Sequence, residues 1–201
     1  MHKKNHHKKS VAEILFYFFV SLYFTCCCSS KVQLNPVYIT DEKSVLLLPV
    51  YDLKNQVESF QMFSGKFGGR NFSSPVYIQC NEKEIKVCLM NEFGFETGVL
   101  YYDGFSCSLS SEFFPKNFKS EYIVCDLQNV YYKKEKLKEN YSASGLDFQW
   151  EEYGEENFKY FIYDKENLIE EISVEKSDEE KIIIIKNFLR DYEYKLQEAV
   201  E

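Results

Sequence analysis

"EIKVCLMNEFGFETGVLYYDGFS" (Glu84–Ser106) is the stretch that decides the fold. Ile85, Val87 and Leu89 fall on alternate positions, the pattern of a strand with one covered face and one wetter face. "NEFGFE" follows as a turn, with Gly94 available for a positive φ. "YYDGFS" then places Asp103-Gly104 between two aromatic-rich runs, a type I′ hairpin signal. Two hairpins in so short a length predict antiparallel sheet.

The pattern extends in both directions. "VESFQMF" alternates between Val57 and Phe63, "PVYIQC" sets Val76, Ile78 and Cys80 on one face, and "CNEKEI" offers another turn. Residues from Gln56 to about Leu109 therefore read as a meander of four or five strands. Beyond it, "KYFIYD", "NLIEEISVE" and "YEYKLQ" continue the alternation, with Leu168, Ile172 and Val174 opposite Glu171 and Glu175. "KIIIIK" (Lys181–Lys186) is apolar on both faces and β-branched, which predicts a buried strand with charged gatekeepers. One segment differs. In "SEYIVCDLQNVYY", Ile123, Leu127, Val130 and Tyr131 form a helical stripe, with Ser120 as a cap and Glu121 at the positive end of the dipole. "KKEKLKEN" extends it or adds a second helix. The expected class is mainly antiparallel β with one or two helices, an α+β fold with a helix across the sheet's concave face.

Composition narrows the function. The chain has 201 residues, a formal net charge of −8, and 18 Phe and 16 Tyr against one Trp. Only Arg70 and Arg190 carry guanidinium groups, so the basic patch that nucleic acid requires is lacking. All three histidines (His2, His6, His7) lie near the start, where Lys3, Lys4, Lys8 and Lys9 precede the apolar run "ILFYFFVSLYF" (Ile14–Phe24). A span of the bilayer takes about 20 apolar residues. This shorter run behind a basic head reads as a secretory signal over residues 1–26.

"TCCCSS" follows it and supplies the cysteine of a lipoprotein signal. Cys27 fits best, with Phe24 three places before it, and Cys26 and Cys28 are alternatives. Acylation with palmitate-type chains stabilises anchoring by about 0.8 kcal/mol per buried methylene. Residues 27–43 then form a tether, and the folded domain covers 44–201. Three consecutive cysteines do not suit a tetrahedral metal site, which favours pairs two to four residues apart, and no cofactor or metal is expected.

Four segments carry a resemblance: "LLLP" (Leu46–Pro49), "SGKFGG…F" (Ser64–Phe72), "VCLMNEFGFETGVLYYDG" (Val87–Gly104) and "CDLQNVYY" (Cys125–Tyr132). In this order the chain resembles a bacterial envelope lipoprotein family similar to the outer-membrane lipoprotein receptor LolB and the periplasmic carrier LolA. It departs from the family at Tyr131-Tyr132, where Trp-Pro is common. The resemblance implies a curved, half-open β-barrel with a helical lid and an apolar interior that holds acyl chains. It also implies an outer-membrane location facing the periplasm, with partners limited to the membrane and an acyl-chain ligand or lipoprotein. Met62, Phe63, Phe93, Phe95, Leu100, Tyr101, Tyr102, Ile123 and Leu127 are the candidate cavity lining, although the same rings could fill a tight core. Phe113 and Phe114 in "SSEFFPKNF" are candidates for a membrane or partner loop, set against the simpler expectation that both tuck under the helix.

Catalysis is not expected. A mature chain without His has no Ser-His or Cys-His system, and no Gly-rich phosphate loop is present. The paired carboxylates, Glu170-Glu171 among them, are adjacent and read as solvated charge. Cys80, Cys88, Cys107 and Cys125 allow a disulfide, for instance Cys80 with Cys88 across a hairpin, or free buried thiols. Two functions follow: a membrane-anchored acyl-chain carrier, or a structural or protein-interaction lipoprotein with a filled core.

Overall fold

In a computed structural model, residues 36–199 are described except 68–69, 112–113, 115–118 and 155. Two short strands come first, β1 (Val37–Tyr38) and β2 (Ser44–Val45), then a 3-10 turn at Val50–Asp52. The meander comprises β3 (Val57–Phe67), β4 (Arg70–Cys80), β5 (Ile85–Met90), β6 (Glu96–Tyr102) and β7 (Cys107–Ser111). Helices α1 (Ser120–Tyr131) and α2 (Lys134–Ala143) follow. The chain ends in β8 (Asp147–Glu152), β9 (Phe158–Asp164), β10 (Asn167–Lys176), β11 (Glu180–Asn187) and β12 (Tyr192–Ala199).

Ten strands form one antiparallel sheet in the order β7-β6-β5-β4-β3-β12-β11-β10-β9-β8. The first meander grows outward from β3, and the second returns inward to β12, which pairs with β3 and joins the halves. Strands β7 and β8 are the edges and do not pair, so the sheet is open and curved, and the fold is α+β as expected. The alternating directions place the β3–β4, β5–β6, β9–β10 and β11–β12 hairpins at one end, termed here the upper end.

Turn chemistry explains the tight connections. The side-chain oxygens of Asn81, Asn91 and Asp103 each accept backbone N–H bonds from residues two to four places on, the Asx arrangement that closes a hairpin. Gly94 has φ +78°, as the sequence required. The expected type I′ turn at Asp103-Gly104 is corrected. The connection has four residues, 103–106, and of that pair only Gly104 has a positive φ (+89°). Asp103 serves as the side-chain acceptor, from Phe105 and Ser106 N–H.

Helix α1 is buried on more than its stripe: Val124, Cys125, Asp126, Leu127, Gln128, Asn129, Val130 and Tyr131 are all inside. One side faces the sheet. The other is covered by residues 37–53, whose Val37, Ile39, Val45, Leu47, Val50 and Leu53 are buried. Gln128 fastens this strap, accepting from Leu48 N–H at 2.9 Å and donating to Leu48 C=O at 2.7 Å. Arg190 donates to the carbonyl oxygens of Tyr38 and Ile39, and Lys43 pairs with Asp164 at 2.6 Å. The folded body therefore includes residues from Val37 onward, where the sequence suggested a tether up to residue 43. Ser120 opens α1 without capping it: its hydroxyl accepts from the Cys107 thiol, and Lys119 is the N-cap residue. Helix α2 buries only Leu137 and Tyr141 and packs on β8.

Candidate functional site

Period-two geometry and strand register give the concave face row by row. Across the lower and middle parts, Cys80, Ile85 and Tyr102 form one row, and Ile78, Val87 and Leu100 the next. These are buried, and with Tyr132, Tyr141 and Phe148 they fill the space under the helices. Toward the upper end the filling is less complete. Phe72, Gly65 and Tyr194 are register partners across β4, β3 and β12, and Phe63 lies one step below. Phe63 packs edge-on against Phe72 (centroids 4.7 Å) and Tyr194 (5.2 Å). All three rings are only half-buried. Gly65, between Phe72 and Tyr194 in register, lets β3 and β12 pack closely: a Cβ there would stand 2.5 Å from Glu193 O and 2.7 Å from Tyr194 Cβ. Tyr122 and Ile123, also half-buried, sit one helical turn before Asp126, whose carboxylate bonds Tyr194. The result is an aromatic patch on the concave face that the helices do not seal. A separate groove of about 560 Å³ lies along the β3–β12 seam toward the outer face, where Ser64, Lys66, Lys186 and Lys195 among its walls have the outer parity.

Next to the patch lies a buried polar network. Glu170, Asn187 and Tyr192 form a row across β10, β11 and β12. Asn187 Nδ2 donates to Glu170 Oε2 at 3.0 Å, and Asn129 Nδ2 of α1 donates to Oε1 at 3.1 Å. Asn129 Oδ1 in turn accepts from the Tyr141 hydroxyl at 3.0 Å. The Tyr194 hydroxyl donates to Asp126 Oδ2 at 2.8 Å, and the Tyr192 hydroxyl oxygen stands 3.2 Å from the same atom. Burial, then the nearby Glu170 charge, pushes the Asp126 carboxyl well above the usual carboxylate range, against the opposing pull of Tyr194, Tyr192 and Arg190. Burial likewise raises Glu170, although Asn187 and Asn129 hold it down in part.

The expected lining separates by face. Phe63, Leu100, Tyr102, Ile123 and Leu127 are on the inner side. Leu100, Tyr102 and Leu127 are fully packed there, which leaves Phe63 and Ile123 as partly open wall. Met62 and Tyr101 have the opposite parity to buried neighbours on their strands and face outward. Phe93 (76% exposed) and Phe95 (69%) flank Gly94 in the β5–β6 turn, outside any interior. These four are corrected as lining residues. Phe114 is half-buried and packs against the core, while Phe113 lies outside the described residues. Cys26, Cys27 and Cys28 also lie outside them.

A Cys80–Cys88 disulfide is ruled out by parity. Cys80 points inward and Cys88 outward, and all four described cysteines are free. Burial pushes the Cys80 thiol up to about 12, an inert packing group. Glu170 was grouped with solvated charge, and that reading is corrected: it is 4% exposed. The signal was present, since Glu170 shares parity with Ile172 and Val174, as Tyr192 and Tyr194 do with Leu196.

The family described as "Protein of unknown function (DUF3261)" matches residues 58–199, which contain both the patch and the network. No curated protein matches the chain. The chain belongs to the DUF3261 family.

Proposed function

We propose that this DUF3261 chain is a lipid-anchored protein of the bacterial cell envelope that binds an acyl chain on its concave face and carries it by reversible transfer, without covalent chemistry. The observation that carries this reading is the half-buried aromatic patch of Phe63, Phe72 and Tyr194 at the unsealed upper end of an open sheet. An acyl chain is recognised by apolar area and few polar anchors, and these three rings offer apolar area that the fold leaves partly uncovered. The open sheet with helices across its concave face supports the LolA/LolB-like reading. The basic head, apolar run and cysteines of the leader support anchoring through Cys27, with Cys26 and Cys28 as alternatives, at the outer membrane facing the periplasm.

A second reading has its own observation. Tyr102, Tyr132, Tyr141 and Phe148 are each under 2% exposed and leave the lower interior closed, as in a structural or protein-interaction lipoprotein with no ligand. Extraction of the full chain purified from membranes, followed by mass spectrometry and titration with a fluorescent fatty acid, separates the two. The carrier reading expects a bound acyl species. It also expects Phe63→Ala to weaken probe binding by about tenfold or more, given about 1.5–3 kcal/mol for burying a Phe side chain. Absence of any acyl species together with no probe binding would leave the second reading standing.

A further inference from the structure

Asp126 and Glu170 are inside the protein at 6% and 4% exposure, and among the described residues no Lys or Arg nitrogen lies within ion-pair distance of either. Their shared neighbour is Tyr192. Its hydroxyl oxygen is 3.2 Å from Asp126 Oδ2, 3.4 Å from Asp126 Oδ1 and 3.5 Å from Glu170 Oε2. That hydroxyl has one hydrogen. With both carboxyls ionised, the hydrogen serves one of them and turns a lone pair toward the other. A proton on Asp126 Oδ1 completes the chain. Asp126 then donates to Tyr192, Tyr192 donates to Glu170, and Asp126 Oδ2 still accepts from Tyr194 at 2.8 Å.

The network joins separate elements. Asp126 and Asn129 belong to α1, Glu170 to β10, Asn187 to β11, and Tyr192 and Tyr194 to β12. We propose that Asp126 and Glu170 form a proton-dependent clasp that holds α1 on the concave face and loosens its hold as pH rises. This device does not depend on what the aromatic patch binds. The other titratable groups facing it are Cys125 from α1, Tyr141 from α2, Tyr192 and Tyr194 from β12, and Arg190 from the β11–β12 turn. The thiol and the phenols are neutral across the physiological range because burial pushes each upward. Arg190 is the one cation in this set, and its guanidinium is committed to the carbonyl oxygens of Tyr38 and Ile39 and to the face of Tyr122.

The direction follows from proton counting. In the loosened state both carboxyls titrate near the ordinary value of about 4, whereas in the clasp the shared proton is retained to higher pH. The closed state therefore binds more protons. Its advantage is complete below about pH 4 and is lost as pH rises toward the raised value. Each pH unit in that window favours opening by up to about tenfold for one proton.

Hydrogen exchange of the α1 amides, measured on the full chain and corrected for intrinsic exchange rates, tests the clasp. Opening of residues 124–130 should increase at least about tenfold between about pH 5 and pH 8. Asp126→Asn should flatten that dependence. Its amide can donate permanently to Tyr192, and its carbonyl can still accept from Tyr194. A flat wild-type profile, or an Asp126→Asn profile as steep as wild type, would overturn the proposal. If the variant does not fold, infrared spectra of the wild-type chain with isotope-labelled aspartate decide instead. A protonated carboxyl band at neutral pH supports the clasp, and its absence overturns it.

Discussion

The two halves of the sheet use the same alternation to opposite ends. In the first half, β3–β7, the inner face is mostly apolar, as in Ile78–Val87–Leu100–Leu109, with the uncharged Ser59 and Gln61 on β3. The outer row Phe60–Tyr77–Cys88–Val99–Ser110 has no charged residue. In the second half, β8–β12, the outer surface carries the ion pairs Lys159–Glu171 and Lys186–Glu193. Its inner face carries the Glu170–Asn187–Tyr192 row. The first half is held mainly by apolar burial and by hydrogen bonds of neutral side chains such as Gln61 with Ser59 and Tyr131, which depend little on pH and salt. The second is held partly by a hydrogen-bonded carboxyl network, whose strength depends on its protons. Alternation tells which side of a strand is covered; the chemistry of the covered side is a separate property, and the halves differ there.

Ile78→Ala should break the first half most deeply. Ile78 is 1% exposed between Val87 and Ser59 on neighbouring strands, so truncating it removes buried contacts and leaves a cavity. The expected loss is about 2–5 kcal/mol by urea unfolding, with an unchanged slope and the same loss at acid and neutral pH. A loss under about 1 kcal/mol would mean that the lower interior is already loosely filled, contrary to the packing described.

Gly65→Ala probes the seam where the halves meet. The new Cβ would stand 2.5 Å from Glu193 O and 2.7 Å from Tyr194 Cβ, so β3 and β12 must separate locally. An overpacking cost of about 1–3 kcal/mol is expected, offset by a few tenths to about 1 kcal/mol from the stiffer unfolded chain. Unfolding should stay one cooperative transition. Two resolved transitions would show that the halves unfold separately and that the seam is weaker than its ladder suggests.

The first half was legible because most of it follows local rules, Pro75 within β4 and the four-residue connection at 103–106 apart. Ile85, Val87 and Leu89 alternate, Asn81, Asn91 and Asp103 supply turn acceptors, and strand follows strand. The second half hid its polar row because a carboxylate within an acidic run is ordinarily solvated. Glu170 is the exception, since Asn129 and Asn187 bring donors from an element 41 residues earlier and a strand 17 residues later. The burial of α1 on both sides was hidden for a related reason. Its stripe predicts one covered face, whereas the second cover is a strap that Gln128 holds from 80 residues away. Local periodicity does not contain such contacts. Of the lining residues, Met62 and Tyr101 are each next in sequence to an inner residue, Phe63 and Tyr102, and strand alternation sends such neighbours to opposite faces. Phe93 and Phe95 were misplaced because flanking a turn glycine puts a ring beyond the last ladder bond.

The smallest effect belongs to the outer surface of the second half. Lys186 and Glu193 face each other across β11 and β12 at 3.6 Å, with side chains 49% and 55% exposed. Water and salt screen a pair so exposed, and ordering two long side chains offsets most of the attraction. Lys186→Ala should therefore change stability by no more than about 0.5 kcal/mol, and added salt should leave the difference between variant and wild type unchanged. A loss above about 1 kcal/mol that vanishes in high salt would show that the second half draws real stability from its surface charges. The contrast between the halves would then lie in their outer faces as much as in the carboxyl row within.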